Sequence, residues 1–147
     1  MNEVSKKWLL ARMYEPDLVI ADCRCEPDEP GAGRRAYEMS HIPGAVYLDL
    51  SAYDDTMLRR DQPDAAQVAE LERLFSRAGI GEESRVVAYD DQQGAWASWL
   101  QALLRALGHE TAYRMDEDYS VWAGAGYPVT AAQNVVVPAA FIARLQS

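Results

Sequence analysis

One stretch decides the fold of this chain: Arg85-Val86-Val87-Ala88-Tyr89-Asp90-Asp91-Gln92-Gln93-Gly94-Ala95, followed by segment 96–107. A β-branched run begins at Val86 and is bounded by polar residues, which is typical of a central parallel strand. Segment 96–107 predicts an amphipathic helix, because apolar residues recur there at three- and four-residue steps: Trp96, Trp99, Leu100, Leu103, Leu104 and Leu107. Gly108 stands where such a helix stops. A strand, a polar loop and a helix in this order indicate an α/β protein.

The loop between this strand and this helix is the first candidate site. It should present free backbone N–H groups and the positive end of the helix dipole, and α/β proteins hold anions and place nucleophiles there. The candidate loop consists of Asp90, Asp91, Gln92, Gln93, Gly94 and Ala95. We predict that Asp90, at its head, caps the helix or occupies the anion site from within the chain.

Composition limits the classes of function. The chain has 147 residues, enough for one domain with a real core, and a net charge of −9. We predict no nucleic-acid partner, because no basic face compensates this charge. We expect a cytoplasmic protein without a membrane partner, since no apolar run has signal-peptide length or approaches the roughly 20 residues of a span. Two cysteines, Cys23 and Cys25, cannot make a disulfide framework.

Strands and helices alternate along the rest of the chain. Further strands are predicted at 18–22, 46–48 and 111–115, and helices or helical turns at 6–14, 34–39, 63–78 and 119–123, with a long polar connection at 51–62. We therefore predict a single α/β domain over residues 1–130, a central parallel sheet with helices on both faces, and a linker-like tail over 131–147 anchored by Phe141. The loops after Asp22, Tyr89 and Met115 should meet at the carboxyl edge of the sheet.

The order of three motifs resembles the rhodanese family of sulfurtransferases. The motifs are Asp22-Cys23-Arg24, then Tyr37-Glu38-Met39-Ser40-His41-Ile42-Pro43-Gly44-Ala45, then segment 113–129 with Trp122, Gly126, Pro128 and Val129. The resemblance covers about residues 4 to 130. It is greatest with the non-catalytic N-terminal domain of tandem enzymes that use thiosulfate or 3-mercaptopyruvate.

In this family the catalytic cysteine follows the strand that ends here at Tyr89, so the resemblance places Asp90 at its position. The reaction needs a thiolate that attacks a sulfane sulfur and carries it as a persulfide, which a carboxylate cannot do. The resemblance therefore implies that the chain lacks a catalytic residue. It implies a rhodanese-like domain that supports a second, catalytic rhodanese domain in the same polypeptide, or a protein partner. A surface left free by a missing partner would favour self-association.

Two other functions stay open. The chain could be a stand-alone binding or regulatory module on the same fold. It could also be an active sulfurtransferase that uses Cys23 or Cys25, although we expect both to be packing residues.

Carboxylates gather on the loops at one predicted edge of the sheet. With Asp90 and Asp91, the segment Asp116, Glu117 and Asp118 makes five, and Asp22 and Arg24 belong to the same cleft rim. These acids should repel anionic sulfur donors. They could also hold a hard cation such as Mg²⁺ or Ca²⁺, but we favour a solvated surface and predict no metal and no cofactor.

Three further side chains receive structural interpretations. We expect Arg24 to pair with Asp22 or another carboxylate near it. His41 should fix a turn. His109, just beyond a helix end, should interact with the last carbonyls of that helix.

Overall fold

The computed structural model describes residues 2–53 and 64–145, and it shows the predicted α/β fold with helices on both faces of a sheet. The strands are β1 (Glu3–Val4), β2 (Leu18–Asp22), β3 (Val46–Tyr47), β4 (Arg85–Tyr89) and β5 (Ala112–Met115). The described helices are α1 (Lys6–Arg12), α2 (Ala32–Met39), α3 (Ala65–Arg77), α4 (Ala95–Ala106) and α5 (Tyr119–Gly124). Most of the predicted polar connection, residues 54–62, lies outside the described residues.

The five strands form one parallel sheet in the order β1-β5-β4-β2-β3. Strand β4 lies in the middle, and its Val86 and Val87 are completely buried, as the β-branched run predicted. In the register of β2 with β4, Asp22 lies beside Tyr89. The residues that follow these two positions therefore emerge side by side at the same edge of the sheet.

Side chains of β4 alternate between two cores. Val86 and Ala88 pack into the core that α3 and α4 cover, together with Phe75 and Leu104. Val87 and Tyr89 pack into the core on the opposite face, which is built from α1, α2 and α5: Leu9, Tyr37, Ile42, Tyr119 and Trp122. Successive residues of the strand point to opposite faces of the sheet, and both faces are buried. The strand is therefore hydrophobic at every position in the sequence.

Helix boundaries follow the capping residues in the sequence. The Ser5 hydroxyl accepts a hydrogen bond from Trp8 N at 3.0 Å. The Asp64 carboxylate accepts one from Ala66 N at 2.7 Å, so both residues act as N-caps. Gly108 ends α4 with a φ of +88°, in the region where glycine is unstrained. No helix in the described parts of the chain is both long and apolar enough to cross a bilayer.

Residues 131–145 of the tail lie against the domain without regular secondary structure. Phe141 is buried, and its ring packs edge-on against Phe75 with the centroids 5.1 Å apart. Backbone hydrogen bonds join Ala139 N to Ser76 O at 2.9 Å and Arg144 N to Leu107 O at 2.7 Å. The anchor predicted at Phe141 is confirmed, and residues 139–144 are fixed to the ends of α3 and α4.

Candidate functional site

The loops that follow β2, β4 and β5 meet at the carboxyl edge of the sheet, as predicted. Gln92 Oε1 of the β4 loop accepts a hydrogen bond from Cys25 N of the β2 loop at 3.4 Å. Gln93 N donates to Asp118 Oδ1 of the β5 loop at 2.8 Å. Tyr119 N, at the start of α5, donates to Asp90 O at 2.9 Å. The β4 loop is therefore held from both sides by its neighbours.

The carboxylate of Asp90 fills the space inside its own loop. Its Oδ1 accepts hydrogen bonds from Gln92 N at 3.0 Å and Gly94 N at 2.8 Å. Its Oδ2 accepts from Trp96 N at 2.8 Å and Ala97 N at 2.9 Å, in the first turn of α4. Only 2% of Asp90 is exposed. The prediction that this side chain occupies the anion site from within the chain is confirmed, and we call these four donors the amide cradle.

The backbone of the loop gives the cradle its shape. Gln93 has a φ of 59° and Gly94 a φ of 84°, so two consecutive residues adopt the left-handed conformation. Turns of this kind are a recurrent way to bind an anion; here the N–H groups of Gln92 and Gly94 point at Asp90, whereas that of Gln93 points at Asp118. A Cβ on residue 94 would also lie 3.2 Å from the guanidinium of Arg114. The sequence shows the glycine, but not the left-handed conformation of Gln93.

A second buried carboxylate lies beside the cradle, at the end of β2. Two groups of the Arg24 guanidinium donate hydrogen bonds to Asp22 Oδ2, Nε at 3.1 Å and Nη2 at 2.6 Å. The Tyr89 hydroxyl donates to Asp22 Oδ2 at 2.8 Å. The pairing of Arg24 with Asp22 is confirmed. Asp22 is 0% and Arg24 7% exposed, however, so both lie beneath the cleft rather than on the rim where we expected them.

The remaining acids do not act as equivalent free charges. Glu117 forms an ion pair with Lys6 at 2.7 Å, a contact between residues far apart in the chain. Asp91 Oδ1 accepts a hydrogen bond from Ser120 N at 3.0 Å. Burial raises the pKa of Asp118, and the charges of Asp91 and Asp90 raise it further. With Asp90 buried, the expected ring of five repelling carboxylates is reduced to a smaller acidic surface that includes the exposed Asp116.

The two cysteines are packing residues, as expected. Both are free thiols, with Cys23 1% and Cys25 6% exposed. Burial raises the pKa of both thiols, that of Cys23 well above its ordinary value. Neither lies in the amide cradle, so neither replaces the nucleophile there. Among residues 2–53 and 64–145, no group of three or more His, Cys, Asp or Glu side chains is placed to hold a metal ion.

The histidines hold the backbone in place. His41 Nδ1 lies 2.7 Å from Tyr37 O, and its ring stacks on that of Tyr37, which confirms its role in fixing the turn. The interaction predicted for His109 is confirmed: its backbone N donates to Leu104 O, in the last turn of α4, at 2.9 Å. Its ring Nε2 lies 2.7 Å from Ser84 O, immediately before β4.

Comparisons with known proteins agree with this geometry. Residues 5–125 match the family model of the Rhodanese-like domain. A "Probable 3-mercaptopyruvate sulfurtransferase" of Pseudomonas aeruginosa is 34% identical over 90% of this chain and 48% of its own length. The mitochondrial "Thiosulfate/3-mercaptopyruvate sulfurtransferase 1" of Arabidopsis thaliana is 32% identical over 86% of this chain and 33% of its own length.

A solved structure shows the same fold. The crystal structure of SseA from Escherichia coli, described as a 3-mercaptopyruvate sulfotransferase, superimposes with a TM-score of 0.78 at 20% identity. The match covers 98% of this chain and 55% of that one. The chain thus spans about half the length, or less, of these relatives.

Proposed function

Because this chain belongs to the rhodanese-like domain family, with sulfurtransferases as relatives, we propose that it is the non-catalytic domain of a thiosulfate or 3-mercaptopyruvate sulfurtransferase. In this proposal, Asp90 stands in place of the reactive cysteine. The domain supports a second, catalytic rhodanese domain, which we place in the same polypeptide.

The observation that carries the proposal is the filled amide cradle. Sulfur transfer needs a thiolate at the head of this loop, and it needs N–H groups that stabilise the thiolate and the persulfide. Here all four N–H groups of the cradle donate to the Asp90 carboxylate, at 2.8 to 3.0 Å. A carboxylate oxygen cannot carry a sulfane sulfur as a stable persulfide, so the loop keeps its shape while lacking the reactive atom.

Two further observations support the proposal. The thiols of Cys23 and Cys25 are buried outside the cradle, with raised pKa values, so they are poor nucleophiles near neutral pH. The P. aeruginosa relative is about twice as long as the matched region, since the chain covers 48% of it. A relative of that length has room for a second domain of similar size.

The experiment compares this chain with a longer product of its source gene. Purified chain 1–147 should transfer no sulfur from thiosulfate or 3-mercaptopyruvate to cyanide above the buffer rate. A polypeptide that continues into a second rhodanese domain should turn over, and changing the cysteine of that second domain to serine should abolish the activity. Turnover by chain 1–147 that is lost in Cys23→Ser or Cys25→Ser would overturn the proposal. A stop codon directly after Ser147 would instead favour the stand-alone binding module.

A further inference from the structure

A cavity of about 530 Å³ opens along the free edge of the sheet, away from the amide cradle. Among residues 2–53 and 64–145, strand β3 is the last strand of the sheet, and its one partner strand is β2. The cavity lies beyond β3, between α2, the C-terminal end of α3 and the tail. Its volume falls within the range of small-molecule sites, roughly 300 to 1,000 Å³. None of the residues 90–95 lines it.

Two guanidinium groups give this cavity a positive charge. Arg34 of α2 and Arg77 of α3 line it, and among the described residues the one carboxylate that lines it is that of Glu38. Neither arginine forms an ion pair with a residue in 2–53 or 64–145, whereas the neighbouring Arg35 pairs with Glu29 at 3.1 Å. In a chain with a net charge of −9, two such arginines on one concavity form a local site for an anion.

The walls of the cavity combine polar side chains with two aromatic rings that are fixed in place. The rings of Tyr37 and Tyr47 lie 5.7 Å apart, centroid to centroid. Their hydroxyls donate to Ala45 O at 2.6 Å and to Arg24 O at 2.9 Å, which leaves the rings as a preformed wall. From the tail, Asn134 Nδ2 donates to Ala45 O at 2.6 Å and holds the other side in place. A ligand would therefore meet an ordered surface.

We infer that this cavity binds a small organic anion. Its charged group lies between Arg34 and Arg77, and its aromatic or aliphatic body packs against Tyr37 and Tyr47. Guanidinium groups bind carboxylates and phosphates through paired hydrogen bonds. The site is independent of the proposed sulfurtransferase role, because it shares no residue with the amide cradle.

The test uses two anionic probes and one neutral probe of similar shape. Benzoate and phenyl phosphate are titrated into the ¹⁵N-labelled chain, with benzyl alcohol as the neutral analogue, and backbone amide shifts are followed by NMR. We expect saturable shifts at Tyr47 and Asn134 with either anion at millimolar concentration. We expect no saturation with benzyl alcohol. The two anions distinguish a carboxylate site from a phosphate site.

Matched arginine variants test the assignment of the site. Arg34→Gln and Arg77→Gln should each weaken binding by about tenfold, because each removes a charge-assisted contact. The controls are Arg35→Gln on α2 and Arg73→Gln on α3, neither of which lines the cavity, and both should bind as the unchanged chain does. Asp90→Asn should also bind normally, provided that its spectrum remains that of a folded protein. Equal binding of benzyl alcohol, no saturable binding of either anion, or full affinity in Arg34→Gln and Arg77→Gln would overturn the inference.

Discussion

Two carboxylates at the ends of neighbouring strands are compensated in different ways. Asp22 ends β2 and Asp90 follows β4, and both are almost completely buried, at 0% and 2% exposure. Asp22 faces the guanidinium of Arg24 and the hydroxyl of Tyr89. Asp90 is bound by four backbone N–H groups. Asp22 also accepts one backbone hydrogen bond, from Arg24 N at 3.0 Å, but its charge is balanced by a side-chain cation, whereas that of Asp90 meets only backbone N–H groups among the contacts of the described residues.

The two environments place different requirements on the rest of the sequence. The Asp22 carboxylate depends on the side chains of Arg24 and Tyr89, so a substitution at Asp22 alone leaves both without their partner. The amide cradle is built from main-chain groups, and it holds whichever anionic group residue 90 supplies. We therefore expect substitutions at the two positions to differ in size and in what restores them.

The largest effect is expected at Asp22. Asp22→Asn removes the charge that balances Arg24, and an unpaired charge at this depth costs about 3 to 5 kcal/mol of unfolding free energy. Urea unfolding followed by circular dichroism measures the loss. The double variant Asp22→Asn, Arg24→Met should recover part of it, because no buried charge is then left unpaired. An Asp22→Asn chain as stable as the original would show that Arg24 is not dependent on this partner.

A smaller loss is expected at Asp90. Asp90→Asn keeps one oxygen in the cradle but turns an amide NH₂ toward N–H donors, so the unfolding free energy should fall by about 1.5 to 3 kcal/mol. The matched control is Asp91→Asn, whose carboxylate accepts one hydrogen bond from Ser120 N at 3.0 Å on the surface, and it should cost less than about 1 kcal/mol. Equal losses of unfolding free energy in both variants would mean that the four hydrogen bonds of the cradle stabilise the chain no more than one surface hydrogen bond does.

The helices and strands around the site could be predicted from the sequence, but the side-chain contacts between distant residues could not. Capping residues such as Ser5 and the alternating burial around Val86 are local signals, and the elements that they predict are present. Strand β1 was missed because two residues, Glu3 and Val4, carry no periodicity, and the strand exists only through its pairing with β5. The ion pair of Lys6 with Glu117 joins residues 111 positions apart, and no local pattern indicates it.

The charge of the rim was misjudged for the same reason. Acidic residues that are close in the sequence suggest exposed and unpaired carboxylates. Whether Asp90 is buried and Glu117 is paired depends on the tertiary structure. The role of Asp90 itself could be predicted, because a carboxylate at the start of a helix following a parallel strand has few other donors within reach.

Emptying the cradle should create a binding site. Asp90→Gly removes the carboxylate but leaves the four N–H groups, so sulfate should stabilise this variant by about 1.4 kcal/mol at roughly ten times its dissociation constant. The shift in melting temperature with sodium sulfate, compared with sodium chloride at the same ionic strength, measures it. The unchanged chain should show no difference between the two salts. A sulfate effect of the same size in both proteins would place the anion elsewhere.

The smallest effect concerns Asp118, whose carboxylate faces the cradle loop. Burial and the charges of Asp91 and Asp90 raise its pKa in the folded chain, so its ionised form is destabilising there. The penalty is absent below about pH 3.9, the ordinary pKa of aspartate, and grows as the pH rises above it. Relative to the original chain, Asp118→Asn should therefore be more stable near neutral pH than in acid, by a few tenths of a kcal/mol. A relative stability that falls with rising pH would contradict the assigned direction.

Mass spectrometry of the intact chain tests most directly the proposal that Asp90 stands in place of a reactive cysteine. The purified chain is incubated with excess thiosulfate or 3-mercaptopyruvate and measured without reductant, beside an active rhodanese treated in the same way. We predict that the active enzyme gains the mass of one sulfur atom, whereas this chain gains none, because Asp90 cannot form a persulfide and both thiols are buried. A stoichiometric gain of one sulfur atom, located on Cys23 or Cys25, would contradict the account.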